Sequence, residues 1–231
     1  IGSLAKGSVS KGDGVVARIN KQARNQTVLN HSATHLLNSA LRTVLGDHVE
    51  QRGSLVNKEK LRFDFVHQKQ VTKGEIKEIE AIVNSEIRAN SKAITETMSI
   101  KEAEKKGALA FFGDKYGEEV RVLSMGGDFS VELCGGTHVQ RTGDIGYFKI
   151  MAETSISAGV RRIEALTGEA ALIFSQDSHD NLDSLALKLN TSSEEVKDKT
   201  SQLIDSNKTL KQELDKLRSD SLSATASDMF L

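Results

Sequence analysis

The hydrophobic pattern of this 231-residue chain changes once, at Gly168, and this change constrains the fold more than any other feature. Before Gly168, segments with the helical period of 3.6 residues are mixed with segments that alternate as strands do. The two kinds do not follow a strict strand–helix–strand order, which favours an α+β fold with helices packed on an antiparallel sheet. After Gly168 the pattern is helical throughout, and it predicts a C-terminal helical hairpin.

Three helices are predicted before this change. Apolar residues recur at intervals of three and four from Thr27 to Leu45, and Gly46 is a typical residue for ending a helix. The other two helices each follow a capping box, in which a Ser or Thr stands three residues before a Glu. The two boxes are Thr72 with Glu75 and Ser99 with Glu102.

The strands are predicted in two groups. The first group is an antiparallel pair, residues 48–56 and 61–66, with a turn at 57–60. The second group consists of four apolar or alternating runs bounded by glycines, at 119–125, 129–133, 145–152 and 159–166. These groups supply the sheet on which the helices are expected to pack.

Apolar residues occupy every seventh position from Leu182 to Leu217. The complementary positions are mostly small or polar, so a helical hairpin is favoured over a long independent coiled coil. Overlapping capping signals predict the turn of this hairpin at 190–195. We therefore divide the chain into a main domain at 27–168, a helical, coiled-coil-like linker at 169–222, and a frayed tail at 223–231.

Residues 1–26 are polar and rich in glycine and lysine, with one alternating stretch at 15–19. This stretch predicts a strand without a neighbouring partner, and an isolated strand is not stable. Because the chain also begins without Met, we expect 1–26 to be the remnant of an upstream β subdomain in an excised piece of a longer protein.

Composition excludes several classes of protein. Lys and Arg number 31 against 32 Asp and Glu, a net charge of -1, so any nucleic-acid contact must be local. No apolar run approaches the roughly 18 residues of a membrane span, and no secretory leader is visible. The sequence therefore predicts a cytoplasmic protein without a membrane partner. A single cysteine excludes an internal disulfide framework.

Three histidines and the only cysteine form a candidate metal site. His31 and His35 lie four residues apart on a predicted helix, so their imidazoles project from one face. Cys134 and His138 have the same spacing within C-G-G-T-H, where two glycines allow a tight turn. Because zinc prefers this set of nitrogen and sulfur ligands, we predict one zinc per chain held by these four residues.

An alternative is that Cys134 is a thiol nucleophile activated by His138. This interpretation leaves no role for the histidine pair on the predicted helix, so we favour the metal site. The remaining histidines have no partner at metal-ligand spacing and are expected to be surface or satisfied residues. They are His48, His67 and His179.

Five motifs resemble the editing domain of bacterial alanyl-tRNA synthetase. They are H-S-A-T-H-L-L at 31–37, H-V-E-Q-R-G-S-L-V at 48–56, L-R-F-D-F at 61–65, C-G-G-T-H-V at 134–139 and G-V-R-R-I-E-A at 159–165. The resemblance extends from about Leu4 to Leu217 and is specific in the order and spacing of its motifs. The editing domain of threonyl-tRNA synthetase is more distant and shares only the HxxxH and CxxxH patterns.

The resemblance implies that residues 27–168 are a zinc-binding editing domain that deacylates tRNA for alanine wrongly charged with serine or glycine. Nothing in this sequence resembles the ATP-binding aminoacylation core, so ATP belongs only to that missing part. The implied partners are the aminoacylated 3′ end of the tRNA and the remainder of the same synthetase polypeptide. The heptad leucines add helix-mediated self-association as a further expectation.

Gln51 lies on the strand expected to face the metal helix, and it is our candidate reader of the serine hydroxyl, mostly because of the resemblance. Ser54 and Thr34 are the next candidates for this role. Backbone N–H groups near Gly135 and Gly136 are the candidate donors to an oxyanion.

Two roles for zinc stay open: activating the ester or water, or orienting the substrate while backbone donors stabilise the oxyanion. The first role needs an open coordination position, which four protein ligands would close. Two other functions are also considered. One is a non-catalytic, zinc-containing tRNA-binding module, which the near-neutral charge disfavours, and the other is a dimerisation segment.

Overall fold

The computed structural model describes residues 3–109 and 117–228 and confirms the α+β class. The elements in chain order are α1 (Lys21–Leu45), β1 (Gln51–Val56), β2 (Leu61–Val66), α2 (Lys73–Ala89), β3 (Ile94–Ser99), α3 (Ile100–Lys105), β4 (Glu119–Met125), β5 (Ser130–Leu133), β6 (Phe148–Ser157), β7 (Val160–Thr167), α4 (Gly168–Leu189) and α5 (Val196–Asp228). A short 3-10 helix, Thr142–Ile145, lies between β5 and β6.

The strands form two antiparallel sheets rather than the single sheet predicted. The larger sheet has the order β1-β2-β7-β6, and the smaller has the order β3-β4-β5. The prediction missed β3 because its first four residues are exposed, so they carry no alternating apolar signal. The second predicted group of strands is divided between the two sheets, with β4 and β5 in the smaller sheet and β6 and β7 in the larger.

The main core contains residues of α1, α2 and the larger sheet. Leu36 and Leu41 of α1, Val83 of α2, and Phe63 and Phe65 of β2 are all fully buried. The same helix α1 also contacts β5 of the smaller sheet. Burial on this scale contributes about 1.5–3 kcal/mol for each large apolar side chain. Helix α1 is thereby held in a fixed position against both sheets, which matters for the site described below.

The ends of the helices follow their capping signals. Both predicted capping boxes are formed. Gly46 ends α1 with a φ of 111°, and its N–H donates to the Arg42 carbonyl. Helix α1 begins at Lys21 rather than Thr27, because Asn20 caps it by accepting from the Ala23 N–H. The residues between Lys21 and Thr27 are mostly polar, so no apolar periodicity marks this first turn and a half.

Two helices joined by a turn form the C-terminal part, as predicted, and Asn190 begins the turn with a φ of 51°. The predicted packing of the heptad leucines is wrong. Leu203, Leu210 and Leu217 are 47%, 63% and 70% exposed, because the complementary positions are too polar to bury a continuous seam. Helix α5 continues to Asp228, through most of the predicted frayed tail, and 229–231 lie outside the described residues.

Within the described residues, none of the helices combines the length and the apolar character that a membrane crossing requires. The chain separates into two compact units, Ile1–Leu172 and Ile173–Leu231, with the boundary inside α4.

The strand predicted at 15–19 is not formed. Residues 3–20 contain neither helix nor strand, and Val16 is 82% exposed. A single alternating stretch without a paired neighbour has no hydrogen-bonding partners to hold it extended. The assignment of 1–26 to an upstream β subdomain stays a prediction.

Candidate metal centre

The structure brings together the four residues predicted as metal ligands. One ligand atom from each of His31, His35, Cys134 and His138 lies within 4.8 Å of the other three. The Cys134 Sγ is 3.2 Å from the His138 Nε2 and 3.6 Å from the His31 Nε2. Ligand atoms around a tetrahedral zinc, with bonds of about 2.0–2.3 Å, lie roughly 3.3–3.6 Å apart. The cluster therefore offers the ligand types that zinc prefers, and the two distances from the Cys134 Sγ are close to tetrahedral spacing.

Helix α1 supplies two of these ligands from one face. His31 is half-buried and His35 is buried, in a stretch where every residue from Ser32 to Leu41 is buried. The Ser32 hydroxyl accepts a hydrogen bond of 3.1 Å from the Val139 N–H. This bond ties the segment that follows His138 directly to the helix that carries the other two histidines.

The C-G-G-T-H loop is anchored to β4 as well. The Cys134 N–H donates to the Arg121 carbonyl over 3.0 Å. The Arg121 guanidinium then donates from Nη1 to the carbonyls of Gly135, at 3.0 Å, and Gly136, at 2.7 Å. One arginine thus holds the turn between the two ligands Cys134 and His138.

Gly136 is required because the chain passes directly under His31. A Cβ at this position would lie 2.1 Å from the His31 Cε1, a distance at which the ring would have to move. Its N–H points to the Cys134 Sγ at 3.5 Å. Because that amide is engaged with sulfur, Gly135, which is exposed, is the remaining candidate for the oxyanion donor predicted at this turn.

Glu132 is a buried acidic residue beside the cluster that the sequence analysis did not identify. Its Oε2 lies 2.5 Å from the Nδ1 of His35, and its Oε1 accepts from the Asn38 Nδ2 at 2.9 Å. The side chain is 1% exposed. A signal was present, since Glu132 is a single charge in the otherwise apolar end of a short strand, two residues before Cys134.

The electrostatics of the metal-free cluster favour the ligand form of the cysteine. Burial raises the pKa of the Cys134 thiol, but hydrogen bonds with His138 and His31 outweigh burial and lower its pKa to about 3. Burial lowers the pKa of His35, while Glu132 and Cys134 together raise it to about 10. Burial is also the main cause of the lowered pKa of His138. The thiolate is therefore available at neutral pH.

Two buried nitrogens of the cluster are unsatisfied. The Nε2 of His35 and the Nδ1 of His138 have no hydrogen-bond partner among the residues that the structure describes. A buried polar atom without a partner costs about 1–3 kcal/mol, so such atoms call for a specific explanation. For His35 a bound metal ion would supply one, because its Nδ1 already faces Glu132 and its Nε2 is the nitrogen left for coordination.

The cluster opens into a cavity of about 430 Å³. The cavity walls include four of the five residues predicted to act on the substrate, which are Gln51, Ser54, Thr34 and Gly135. Gln51 and Ser54 would face opposite sides of a regular strand, but the register of β1 shifts between Gln51 and Gly53. This bulge explains how both residues line the same cavity.

Besides Glu132, three further cavity residues were missed, and they are Thr27, Leu133 and Val56. Thr27 lies one helical turn before His31, so the spacing of four residues was a usable signal. Val56 lies at the end of β1 and had no distinguishing signal.

Thr34 has a fixed donor direction, because its hydroxyl donates to the Asn30 carbonyl at 2.8 Å. Toward a ligand in the cavity, Thr34 is therefore an acceptor.

Sequence comparison assigns part of the chain to a known class of domain. Residues 120–164 match the family described as the threonyl and alanyl tRNA synthetase second additional domain. Over 228 residues, which are 99% of its length, the chain is 50% identical to an alanine–tRNA ligase of Pseudomonas fluorescens and 52% identical to one of Saccharophagus degradans. It is also 50% identical over 218 residues to that of Nitrosomonas eutropha.

This chain belongs to the alanine–tRNA ligase family. It spans about a quarter of the length of the curated relatives it matches, 26% for the first two.

Proposed function

We propose that this chain hydrolyses the ester bond of tRNA for alanine that has been charged with serine or glycine. The observation that carries the proposal is the four-ligand cluster at the wall of a cavity of about 430 Å³, which also contains polar side chains. In the reaction, water attacks the ester carbonyl carbon, the ester C–O bond breaks, and the free amino acid and the 3′-terminal hydroxyl of the tRNA are released. The match to a synthetase family supports tRNA as the substrate.

Zinc is the proposed cofactor, held by His31, His35, Cys134 and His138. When bound, zinc would supply a positive charge beside the substrate ester. The chain itself contributes the N–H of Gly135, an exposed residue of the cavity wall, which is our proposed donor to the carbonyl oxygen as negative charge develops there. Gly136 and Arg121 contribute by holding the turn, since their own polar groups are already engaged.

Selectivity for the wrong amino acid is needed because binding alone cannot supply it. A pocket shaped for alanine gains only about 1–3 kcal/mol from the methyl group that glycine lacks, and it rejects an added hydroxyl poorly. A second site can instead offer polar groups to the serine hydroxyl. We propose Gln51 for this role, supported by Ser54 and by Thr34, whose oxygen can accept a hydrogen bond.

The metal requirement of the reaction tests this proposal. Cys134→Ala combined with His138→Ala should abolish both zinc binding and deacylation of Ser-tRNA, while the far-ultraviolet circular dichroism spectrum of the chain stays close to wild type. Zinc content is measured by elemental analysis on the same preparations. Zinc-free protein with full deacylase activity would contradict both the site and the reaction.

A non-catalytic, zinc-containing tRNA-binding module is the competing function. The cavity beside the cluster favours the enzyme, because a purely structural zinc is normally enclosed by its four ligands. The same assay separates the two functions: a chain that binds zinc and tRNA but leaves every aminoacyl ester intact is a binding module.

A further inference from the structure

We propose that Glu132 is a positioning residue of the metal site, whose buried carboxylate sets the orientation and tautomer of His35. The inference rests on the zinc site of the proposed function and extends it to a residue that is not a ligand. It predicts that zinc affinity depends on a side chain that does not touch the metal.

The hydrogen bond between the two side chains fixes the tautomer. An ionised carboxylate can only accept, so the 2.5 Å contact between Glu132 Oε2 and His35 Nδ1 requires a proton on Nδ1. In the neutral imidazole the lone pair is then on Nε2. This is the buried nitrogen that has no partner among the described residues, so it is the one left for coordination.

The carboxylate is itself held in place from two elements. Its Oε1 accepts from the Asn38 Nδ2 at 2.9 Å, and the Ser130 hydroxyl lies at 3.4 Å from the same oxygen. Asn38 follows His35 by three residues on α1, so both face β5 from the same side of the helix. Glu132 therefore bridges α1 and β5, the two elements that carry His35 and lead into Cys134.

Charge balance gives a second reason for a carboxylate. A zinc ion bound by one thiolate and three neutral imidazoles carries a net charge of about +1 in a partly buried site, and an unpaired buried charge is strongly disfavoured. Glu132 supplies the compensating negative charge within direct contact of one ligand. Hydrogen-bonded partners of this kind typically change metal affinity by about 10–100-fold when they are removed.

Two substitutions separate orientation from charge. Glu132→Gln removes the charge but keeps an acceptor for His35. Once the Asn38 amide turns over, its Oδ1, which has no partner among the described residues, can accept from the new N–H₂. Glu132→Leu removes both the charge and the acceptor. Zinc affinity is measured by competition with a chelator, and the geometry of the site by the visible spectrum of the Co²⁺-loaded chain.

We expect Glu132→Leu to weaken Zn²⁺ binding by about 10–100-fold and to change the Co²⁺ spectrum, because His35 is free to rotate. Glu132→Gln should weaken binding by less than about tenfold and keep the wild-type spectrum. Folded Glu132→Leu protein with wild-type affinity would overturn the proposal. Equal losses in the two variants would also overturn it, since charge alone would then explain the effect.

The matched control is Glu80→Leu. Glu80 is likewise a hydrogen-bonded carboxylate, since it accepts from the Ile150 N–H at 2.7 Å and pairs with Lys149, but it lies outside the cluster. This variant should lose stability without losing zinc affinity. If Glu132→Leu does not fold, Asn38→Ala decides, because it frees one carboxylate oxygen. A lowered affinity supports the proposal, and wild-type affinity contradicts it.

The result also distinguishes this inference from the proposed function. Wild-type protein that binds neither Zn²⁺ nor Co²⁺ contradicts the metal site itself. Wild-type protein that binds both ions, with a Glu132→Leu variant of unchanged affinity and spectrum but lower deacylation, would instead place Glu132 among the groups that act on the substrate.

Discussion

Gly136 is a residue of the candidate metal site that has no room for a side chain. A Cβ there would clash with the His31 ring, its N–H donates to the Cys134 Sγ, and its carbonyl accepts from Arg121. Gly135 is exposed, and a Cβ built there has no neighbour within 4 Å. Two adjacent glycines of one motif therefore have different structural requirements.

This difference gives a matched pair of variants. Gly136→Ala should weaken zinc binding by about 5- to 150-fold, because overpacking at a site of this kind costs about 1–3 kcal/mol and the displaced side chain is a proposed ligand. Gly135→Ala should keep wild-type affinity, since it adds a methyl group to open space. Chelator competition measures both. Equal affinities of the two variants would show that the loop adapts and that Gly136 is not required.

Gln51 is the residue on which the proposed selectivity depends. Gln51→Leu removes the amide that would bind the serine hydroxyl, so hydrolysis of Ser-tRNA should fall by about tenfold or more, equivalent to at least about 1.4 kcal/mol. Hydrolysis of Gly-tRNA should fall much less, because glycine has no hydroxyl. The rates of hydrolysis of Ser-tRNA and Gly-tRNA, measured in parallel for the wild type and the variant, test this expectation. Equal losses would assign Gln51 to the common ester or the tRNA end, and selectivity to Ser54 or Thr34.

The cluster of four candidate ligands was predictable, and the groups that hold it in place were not. Spacing alone identified His31 with His35 and Cys134 with His138, because each pair lies within one local element. Glu132 and Arg121 act through contacts between elements that are distant in the sequence. The site therefore could be predicted in its composition but not in the hydrogen bonds that hold it together.

The prediction of helices and strands from the sequence has the same limit. The alternation of Leu61, Phe63 and Phe65 located β2 to the residue, because one side of that strand is fully buried. The exposed strand β3 and the polar first turns of α1 had no such contrast and were missed. The bulge in β1, which brings Gln51 and Ser54 to one cavity, leaves no trace in a hydrophobic pattern.

One contact between loops at the ends of the larger sheet predicts a pH dependence. The His48 Nε2 lies 2.9 Å from the His67 Nδ1. Burial and the neighbouring His48 lower the pKa of His67, Arg161 acts in the same direction, and Glu75 and Glu153 oppose them. A lowered pKa means that the folded state binds this proton less readily than the unfolded state does, so stability falls as pH drops below about 6.5.

We expect His67→Gln to reduce the loss of melting temperature between pH 7 and pH 5, because the variant has no proton to take up at this position. His179→Gln is the control, since His179 is an exposed histidine of α4 that lies 3.5 Å from Asp183. It should keep the wild-type pH dependence. Thermal denaturation across this pH range measures both, and a His67→Gln slope equal to that of wild type would contradict the expectation.

At the scale of the whole molecule, the candidate site lies entirely in the unit Ile1–Leu172. Removal of residues 193–231 should therefore leave zinc content and deacylation chemistry largely unchanged. Unfolding of the truncated chain would show that this boundary is wrong.

We also propose that the exposed leucines of α5 mediate self-association. The full chain should then have a solution mass above 25.1 kDa, and the truncated chain should be a monomer.

The central claim is that this chain, in the cavity beside its four candidate metal ligands, hydrolyses wrongly charged tRNA and spares the correctly charged product. The most direct measurement is the rate at which the zinc-loaded chain deacylates Ser-tRNA, Gly-tRNA and Ala-tRNA, each formed on tRNA for alanine. We predict rapid loss of the seryl and glycyl esters and little loss of the alanyl ester. Equal rates on all three esters, or no hydrolysis of any of them by the zinc-loaded chain, would contradict the account.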